Sequence, residues 1–378
     1  MMRQAIATES SARRRLTGAA QVLFTLKLDG PLTVGLALTA GYGLLVLFSA
    51  SGGNVRMLLG TVLRLALGTV VMLALARLSP KLLRRAAPWV YGVGILLLLA
   101  VAAFGHVYLG AKRWLDLGPV EFQPSELIKI AVPMMCAWYL HERALPPRWP
   151  DLAALGVIIL VPVALVAKEP DLGTAALIAA AGAVVIFLAG LRARVVIALL
   201  LLAVVAFALG LRFLHGYQRA RLLTFLNPQA HPLSTGYHII QSQIAVGSGG
   251  IFGKGWMAGS QARLDFLPER TTDFIFAVVG EEFGLLGLAV LLLLYTFIIG
   301  RSLYLAMQCP DTFSRLLGGA LAVTFFIYVF INAGMVTGLV PVVGVPLPLV
   351  SYGGSSIVTE LSGFGILMSL FSHRKLMG

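Results

Sequence analysis

Ten apolar stretches, each close to the length needed to cross a bilayer, follow one another with short gaps and leave little room for any other architecture. They run over 32–51, 57–79, 87–109, 123–142, 151–169, 171–190, 194–214, 271–300, 314–340 and 346–372. A spanning helix needs about 20 such residues. Inside hydrocarbon a chain must satisfy its own backbone, so helices are the economical solution. With 58% hydrophobic and 12% charged residues, the reading is an all-α, polytopic membrane protein with ten transmembrane helices.

The formal charge of +13 is not gathered into a basic stripe interleaved with aromatics, which argues against a nucleic-acid partner. It falls instead in short clusters between the spans. Residues 1–30 carry Arg3, Arg13, Arg14, Arg15 and Lys27 without a long apolar run, so they read as a cytoplasmic tail rather than a cleaved signal peptide. Within it Leu16, Val22, Leu23, Leu26 and Leu28 suit either an interfacial helix or a disordered segment. With that end inside, the inner connections hold Lys81, Arg84 and Arg85, then Arg143 and Arg148, Arg192 and Arg194, Arg301 and Arg315, and finally Arg374 and Lys375. Each is basic, as the positive-inside rule requires, and an even number of spans returns the C-terminus to the cytoplasm. The two cysteines, Cys136 and Cys309, are far apart and suggest neither a disulfide framework nor a zinc site. Residues 31–378 therefore read as one membrane domain with a single large outer loop, 215–270, whose mixture of aromatic, apolar and glycine residues favours order. A surface or re-entrant helix is expected near Gly236 to Val246.

Acidic residues are scarce, 16 in 378, yet Asp265, Glu269, Asp273, Glu281 and Glu282 crowd into 265–284. Asp273 opens the eighth span, where a carboxylate needs compensation: at a helix centre an Asp costs roughly 2.5–3.5 kcal/mol. Two compatible readings are a carboxylate at a helix N-terminus, with Thr271 or Thr272 as cap, and a functional group in a polar cavity. Glu281 and Glu282 would share part of its face two turns deeper. Glu126 and Lys129, three apart, can pair on one face of the fourth span or line a cavity. Lys112, Arg113 and Trp114 form the polar heart of the connection before it. Glu169 and Asp171 flank Pro170 with Lys168 beside them and read first as a charged turn. Arg64, in mid-span, calls for a partner or a wet cavity.

Arg219, Arg221 and Lys254 place cations in the outer loop. The glycine run 248–255 lacks the Ser or Thr that a nucleotide-binding loop needs, since Gly255 stands there; what it offers is a nest of N–H groups for a phosphate. In VPLPLVSYGGSS the prolines, Gly353, Gly354, Ser351, Ser355 and Ser356 suit either a broken helix beside a cavity or close small-residue packing.

Taken in order, KRWLDLG and FQPSELIK (112–129), EPDLGTA (169–175), YQRARLLTFLNP (217–228), SGGIFGKG (248–255), FLPERTTDFIFAVVGEEFG (266–284) and VGVPLPLVSYGGSS (343–356) resemble the SEDS family of bacterial shape, elongation, division and sporulation proteins, in its elongation-type form. Thr271 departs from the pattern, where members often carry His. The resemblance implies a glycosyltransferase polymerising lipid II into peptidoglycan strands on the outer face of the cytoplasmic (inner) membrane, for elongation and rod shape. It implies Asp273 as the essential carboxylate, with Lys112, Arg113, Trp114, Glu126, Lys129, Asp171, Arg219, Arg221, Lys254, Glu269 and Ser351 toward the substrate. A base must take the acceptor hydroxyl's proton, and cations or a divalent metal (Mg or Mn) must stabilise the pyrophosphate leaving group. Turning an α-linked donor into a β-linked glycan favours a single inverting displacement over a covalent glycosyl-aspartate. Expected partners are a class B penicillin-binding protein transpeptidase and other elongation-complex membrane proteins. The rival expectation is a lipid II flippase or related transporter, which needs a polar route to both leaflets. A scaffold without chemistry would leave the clustered carboxylates unexplained.

Overall fold

The structure, a computed structural model, describes residues 28–104, 106–108, 111–116, 121–169, 171–191, 194–198, 201, 236–264 and 266–373. Its elements are α1 (Gly30–Ala50), α2 (Val55–Arg77), α3 (Pro80–Phe104), β1 (His106–Tyr108), β2 (Ala111–Asp116), β3 (Glu121–Phe122), α4 (Pro124–Leu140), α5 (Trp149–Lys168), α6 (Leu172–Leu188), α7 (Tyr237–Ser248), α8 (Ser260–Arg263), α9 (Ile275–Met307), α10 (Thr312–Thr337) and α11 (Ser356–Ser372). Among the described residues six helices, α1, α2, α3, α5, α9 and α10, are long and apolar enough to cross a membrane, and α6 and α11 are apolar but shorter. Nine of the ten expected spans have a helix there; the seventh is described only at 194–198 and 201.

Much of the scarce acid is spent on starting helices. Leu32 N–H donates to the Asp29 side chain at 3.0 Å, Thr174 N–H to Asp171 at 3.1 Å and Ser314 N–H to Asp311 at 3.0 Å, each meeting one of the orphan donors of a first turn. Asp29 also accepts from two guanidinium nitrogens of Arg301, at 3.0 and 2.7 Å, tying the start of α1 to α9.

Beside a small buried apolar cluster of Leu177, Tyr328 and Val345, two large ones form among the described residues. One joins α1, α2, α9, α10 and α11; the other joins α3, α4, α5 and α6 to the remaining faces of α10 and α11. Small residues allow the closest approaches: a Cβ on Gly365 would lie 2.5 Å from the Met72 carbonyl, and one on Gly68 2.7 Å from Leu361, so α2 and α11 pack nearly backbone to backbone.

Three expectations on element limits are corrected. The third span starts at Pro80 rather than 87, so Lys81, Arg84 and Arg85 lie on α3 itself. The last span begins as a helix only at Ser356, because Pro346, Pro348 and a left-handed Leu349 (φ 61°) keep 341–355 out of helix. The third span also ends at Phe104 rather than 109, and the connection to α4 contains a small antiparallel ribbon, β1–β2–β3. The expected outer-loop helix is present as α7, packed on α9 and α10, with Ser242 Oγ donating to Val336 O at 2.9 Å.

Candidate active site

Asp273 sits in a turn just ahead of α9. Thr272 and Phe274 N–H both donate to the Glu269 carbonyl, at 3.1 and 3.2 Å, and Glu269 itself takes a positive φ of 50°. The N-cap of α9 is Phe274, with no side-chain cap; the Thr272 hydroxyl donates to Glu269 Oε2 instead, at 2.9 Å. Asp273 is therefore not held by the threonine cap that the sequence suggested.

What fixes the turn comes from far along the chain. Tyr352 N–H donates to Thr271 O at 2.7 Å, Ser351 Oγ to Thr272 O at 2.5 Å, and Asn332 Nδ2 to Asp273 O at 2.9 Å. Three successive carbonyls, whose own helix begins too late to use them, are thus satisfied by the 343–356 segment and α10. Ser351 Oγ also accepts from Leu347 N–H at 2.7 Å, and Asn332 Nδ2 donates a second bond to Val345 O at 2.8 Å. Beside the carboxylate lies Gly344, at φ 77°, where an added Cβ would come 3.5 Å from Asp273 Oδ2. A side chain there would crowd the acid as well as strain the backbone.

Asp273 lines a cleft of about 220 Å³ at the end of the seam between the two apolar clusters. Glu126 and Lys129 from α4, Asp171 ahead of α6, Trp114 from β2 and the Tyr352–Ser356 stretch complete its walls. Glu126 Oε1 and Lys129 Nζ are 2.6 Å apart and both buried, and Lys129 lies 5.5 Å from the Tyr328 ring centre. Both readings of this pair hold together: it is an ion pair and it lines the cavity. Asp171 and Glu169, read first as part of a charged turn, are both buried. Arg64 stacks its guanidinium on Tyr352, 4.7 Å from the ring centre, and so backs the cleft from α2. Below the cleft a narrower cavity of about 60 Å³ shares Glu126, Lys129 and Ser356 and adds Glu360 and Tyr328 between apolar walls. Glu360, the one charged residue of α11, was not singled out from sequence, nor was Asn332; Glu360 accepts from Leu349 N–H at 3.1 Å.

Glu281 and Glu282 belong to a different arrangement. At Gly284 the backbone leaves helical geometry (φ 64°, ψ −159°), so Leu285 and Leu286 no longer donate to the carbonyls four residues back. The glycine run 249–255 supplies substitutes: Lys254 and Gly255 N–H donate to Glu281 and Glu282 O, both at 3.0 Å, while Leu285 and Leu286 N–H donate to Gly250 and Ile251 O, at 2.9 and 3.1 Å. A Cβ on Gly249 would lie 1.9 Å from Gly280 O, and one on Gly253 2.1 Å from Glu282 O, so the glycines serve close docking of backbone on backbone. Two N–H groups of the expected phosphate nest are thereby spent on α9.

The side chains complete this closure. Glu281 accepts from Lys254 Nζ at 2.7 Å, Ser260 Oγ at 3.1 Å, and Gln261 and Ala262 N–H at 2.9 and 3.3 Å. Glu282 accepts from Ser49 Oγ at 2.6 Å. Lys254, expected near substrate, is thus an ion-pair partner of Glu281 and does not line the cleft. Glu269, also expected toward substrate, is a turn residue on the exposed side, and Ser351 holds the turn through its hydroxyl. Lys112 and Arg113 lie on β2, next to Trp114, and their side chains fall outside the described parts of the structure, as do Arg219 and Arg221 altogether.

For a divalent metal, among the described residues no three His, Cys, Asp or Glu side chains gather as a ligand set. The cleft carboxylates are Glu126, Asp171 and Asp273, and Glu126 is committed to Lys129. The described residues do not fit a protein-built metal site, and no step below runs through one.

Residues 31–376 match the family of cell cycle proteins whose model is named for FtsW, RodA and SpoVE. The peptidoglycan glycosyltransferase MrdB of Escherichia coli K12 is 48% identical over 337 residues, covering 89% of this chain and 91% of the relative. The peptidoglycan glycosyltransferase RodA of Treponema pallidum is 32% identical over 348 residues, covering 73% and 80%. Among solved structures, a chain of a peptidoglycan synthase complex that coordinates polymerization and crosslinking superposes with a TM-score of 0.80 at 34% identity, covering 92% of this chain and 98% of that one. The rod shape determining protein RodA of Thermus thermophilus gives 0.71 at 31% identity, covering 92% and 97%.

Proposed function

This chain belongs to the FtsW, RodA and SpoVE family, the SEDS proteins, and from that premise we propose that it is a peptidoglycan glycosyltransferase that polymerises lipid II. The observation that carries the reading is the cleft itself: one half-buried aspartate, held by three fixed carbonyls and set opposite a buried Glu126–Lys129 pair. Asp273 takes the proton of the acceptor sugar hydroxyl. The hydroxyl oxygen bonds to the donor's anomeric carbon as the bond from that carbon to the pyrophosphate oxygen breaks, and the lipid pyrophosphate leaves with the electron pair. The anomeric centre inverts in one displacement, since a covalent glycosyl-aspartate would need two.

Lys112 and Arg113, carried by the strand that delivers Trp114 to the cleft, and Arg219 and Arg221 of the outer loop are the cations assigned to the leaving pyrophosphate. The protein lies in the bacterial inner membrane with both termini cytoplasmic and the cleft facing outward. It works with a class B penicillin-binding protein, which crosslinks the strands, and with other membrane proteins of cell elongation. A flippase would need polar walls toward both leaflets, whereas the cavity below the cleft is mostly apolar.

The test is polymerisation of lipid II by the purified full-length chain with its transpeptidase. The wild type makes glycan strands and Asp273→Ala makes none. Strands of normal length and amount from Asp273→Ala would overturn the assignment, and transport of lipid II across vesicles without polymer, surviving that substitution, would favour the flippase.

A further inference from the structure

Asn332 lies on α10, fully buried, and its single Nδ2 donates to two carbonyls from separate segments of the site's wall: Asp273 O at 2.9 Å and Val345 O at 2.8 Å. The first is the main chain of the proposed base. The second belongs to the loop whose Gly344 borders the same carboxylate. We propose that Asn332 is a positioning residue for catalysis, which sets the Asp273 carboxylate relative to the cleft by locking its backbone to the 344–346 loop. This inference rests on Asp273 being the base.

The chemistry of the side chain supports it. A carboxamide NH2 carries two protons, so one uncharged atom can give each of the two carbonyls a hydrogen bond of its own. The contacts also settle which end of the amide is which, because an oxygen at the Nδ2 position would face two other oxygens. The opposite atom, Asn332 Oδ1, is buried and has no hydrogen-bond partner. A leucine, branched at the same carbon, would avoid that unsatisfied acceptor in the apolar surroundings of α10. The position therefore carries a polar group at a local cost, and what it gains is the pair of donors. Neither carbonyl has a ladder partner to fall back on, since Asp273 precedes α9 and Val345 lies in the irregular 341–347 segment. With the donors gone, the two segments lose both of the bonds that Asn332 gives them.

The test compares Asn332→Asp, Asn332→Ala and Asn332→Ser with wild type in lipid II polymerisation by the full-length chain with its transpeptidase, alongside melting of each protein. Asn332→Ala removes both donors; Asn332→Asp keeps the shape and has no donor when ionised, one when protonated; Asn332→Ser keeps one hydroxyl. A misplacement of about 1 Å costs on the order of 100-fold in rate, so kcat per folded molecule is expected to fall about 100-fold in Asn332→Asp and Asn332→Ala, with KM within about twofold. Asn332→Ser should lie between them and wild type. The limb of the pH–rate profile that reports the base should also move in these variants. A merely structural residue would lower melting and yield while leaving kcat per folded molecule and the pH profile unchanged. That result, or Asn332→Ser no faster than Asn332→Ala, overturns the proposal. Should Asn332→Asp not fold, Asn332→Ser still decides by its kcat and pH profile. An active Asp273→Ala would instead remove the reading on which the proposal rests, whatever Asn332 does.

Discussion

Asp273 and Glu281 lie eight positions apart on one segment, the first in the turn ahead of α9 and the second just before the break within it, and at both places a distant part of the chain satisfies backbone groups that the helix does not. Around Asp273 the repair uses the main chain: the carbonyls of 271, 272 and 273 are satisfied and the carboxylate stays at the wall of an open cleft. Around Gly284 the repair is complete. Four backbone bonds cross the break, Glu281 has four donors, and neither glutamate reaches solvent beyond 1% of its surface. A buried carboxylate surrounded by donors is well placed to hold a loop and badly placed to meet a substrate. The difference separates a chemical half from a structural half within one cluster of acid.

The comparison breaks most severely at its structural end. Gly284 occupies backbone space essentially reserved for glycine, and a Cβ there would lie 2.4 Å from Gly253 N. Gly284→Ala is expected to cost more than about 4 kcal/mol, seen as loss of folded protein in detergent by size-exclusion chromatography and melting. Normal yield and melting would mean that the loop is not locked into the break.

Glu281→Ala comes next. It takes the acceptor from the Gln261 and Ala262 N–H groups and leaves Lys254 Nζ with Ser260 Oγ alone, at a cost of about 3 kcal/mol, while polymerisation per folded molecule stays near wild type. Glu126→Gln belongs to the chemical half: it removes the charge opposite Lys129 at the cleft. Its expected result is a drop of about tenfold or more in polymerisation with a smaller change in melting than Glu281→Ala shows. Smallest is Lys254→Ala, whose side chain is 29% exposed. A loss of about 1 kcal/mol and unchanged polymerisation are expected. A large loss of activity there would return Lys254 to the substrate.

The spans were legible from sequence because their signal is local: an apolar run of fixed length is enough, and nine of the ten expectations meet a helix in the described residues. That Asp273, Glu126 and Lys129 line the cleft was legible because polar groups at the ends of apolar spans need a reason to be there, whereas Asp171 and Trp114 were pointed to only by the family resemblance. Lys254 was misread because its partner stands 27 residues away, and a lysine in a glycine run looks solvated until the break that receives it is seen. Asn332 left no usable signal, for its two acceptors are backbone carbonyls 59 and 13 residues distant, and carbonyls are the same in every sequence. The late start of α11 was half legible: Pro346 and Pro348 announce irregular backbone but not that it forms a wall of the cleft.

The most direct test of the division is to measure lipid II polymerisation and melting side by side for Asp273→Asn and Glu281→Gln in the full-length chain with its transpeptidase. Asp273→Asn should melt like wild type and lose at least about 100-fold in polymerisation; Glu281→Gln should melt lower and polymerise normally per folded molecule. The reverse pattern, a destabilised but active Asp273→Asn beside a stable but inactive Glu281→Gln, would contradict it.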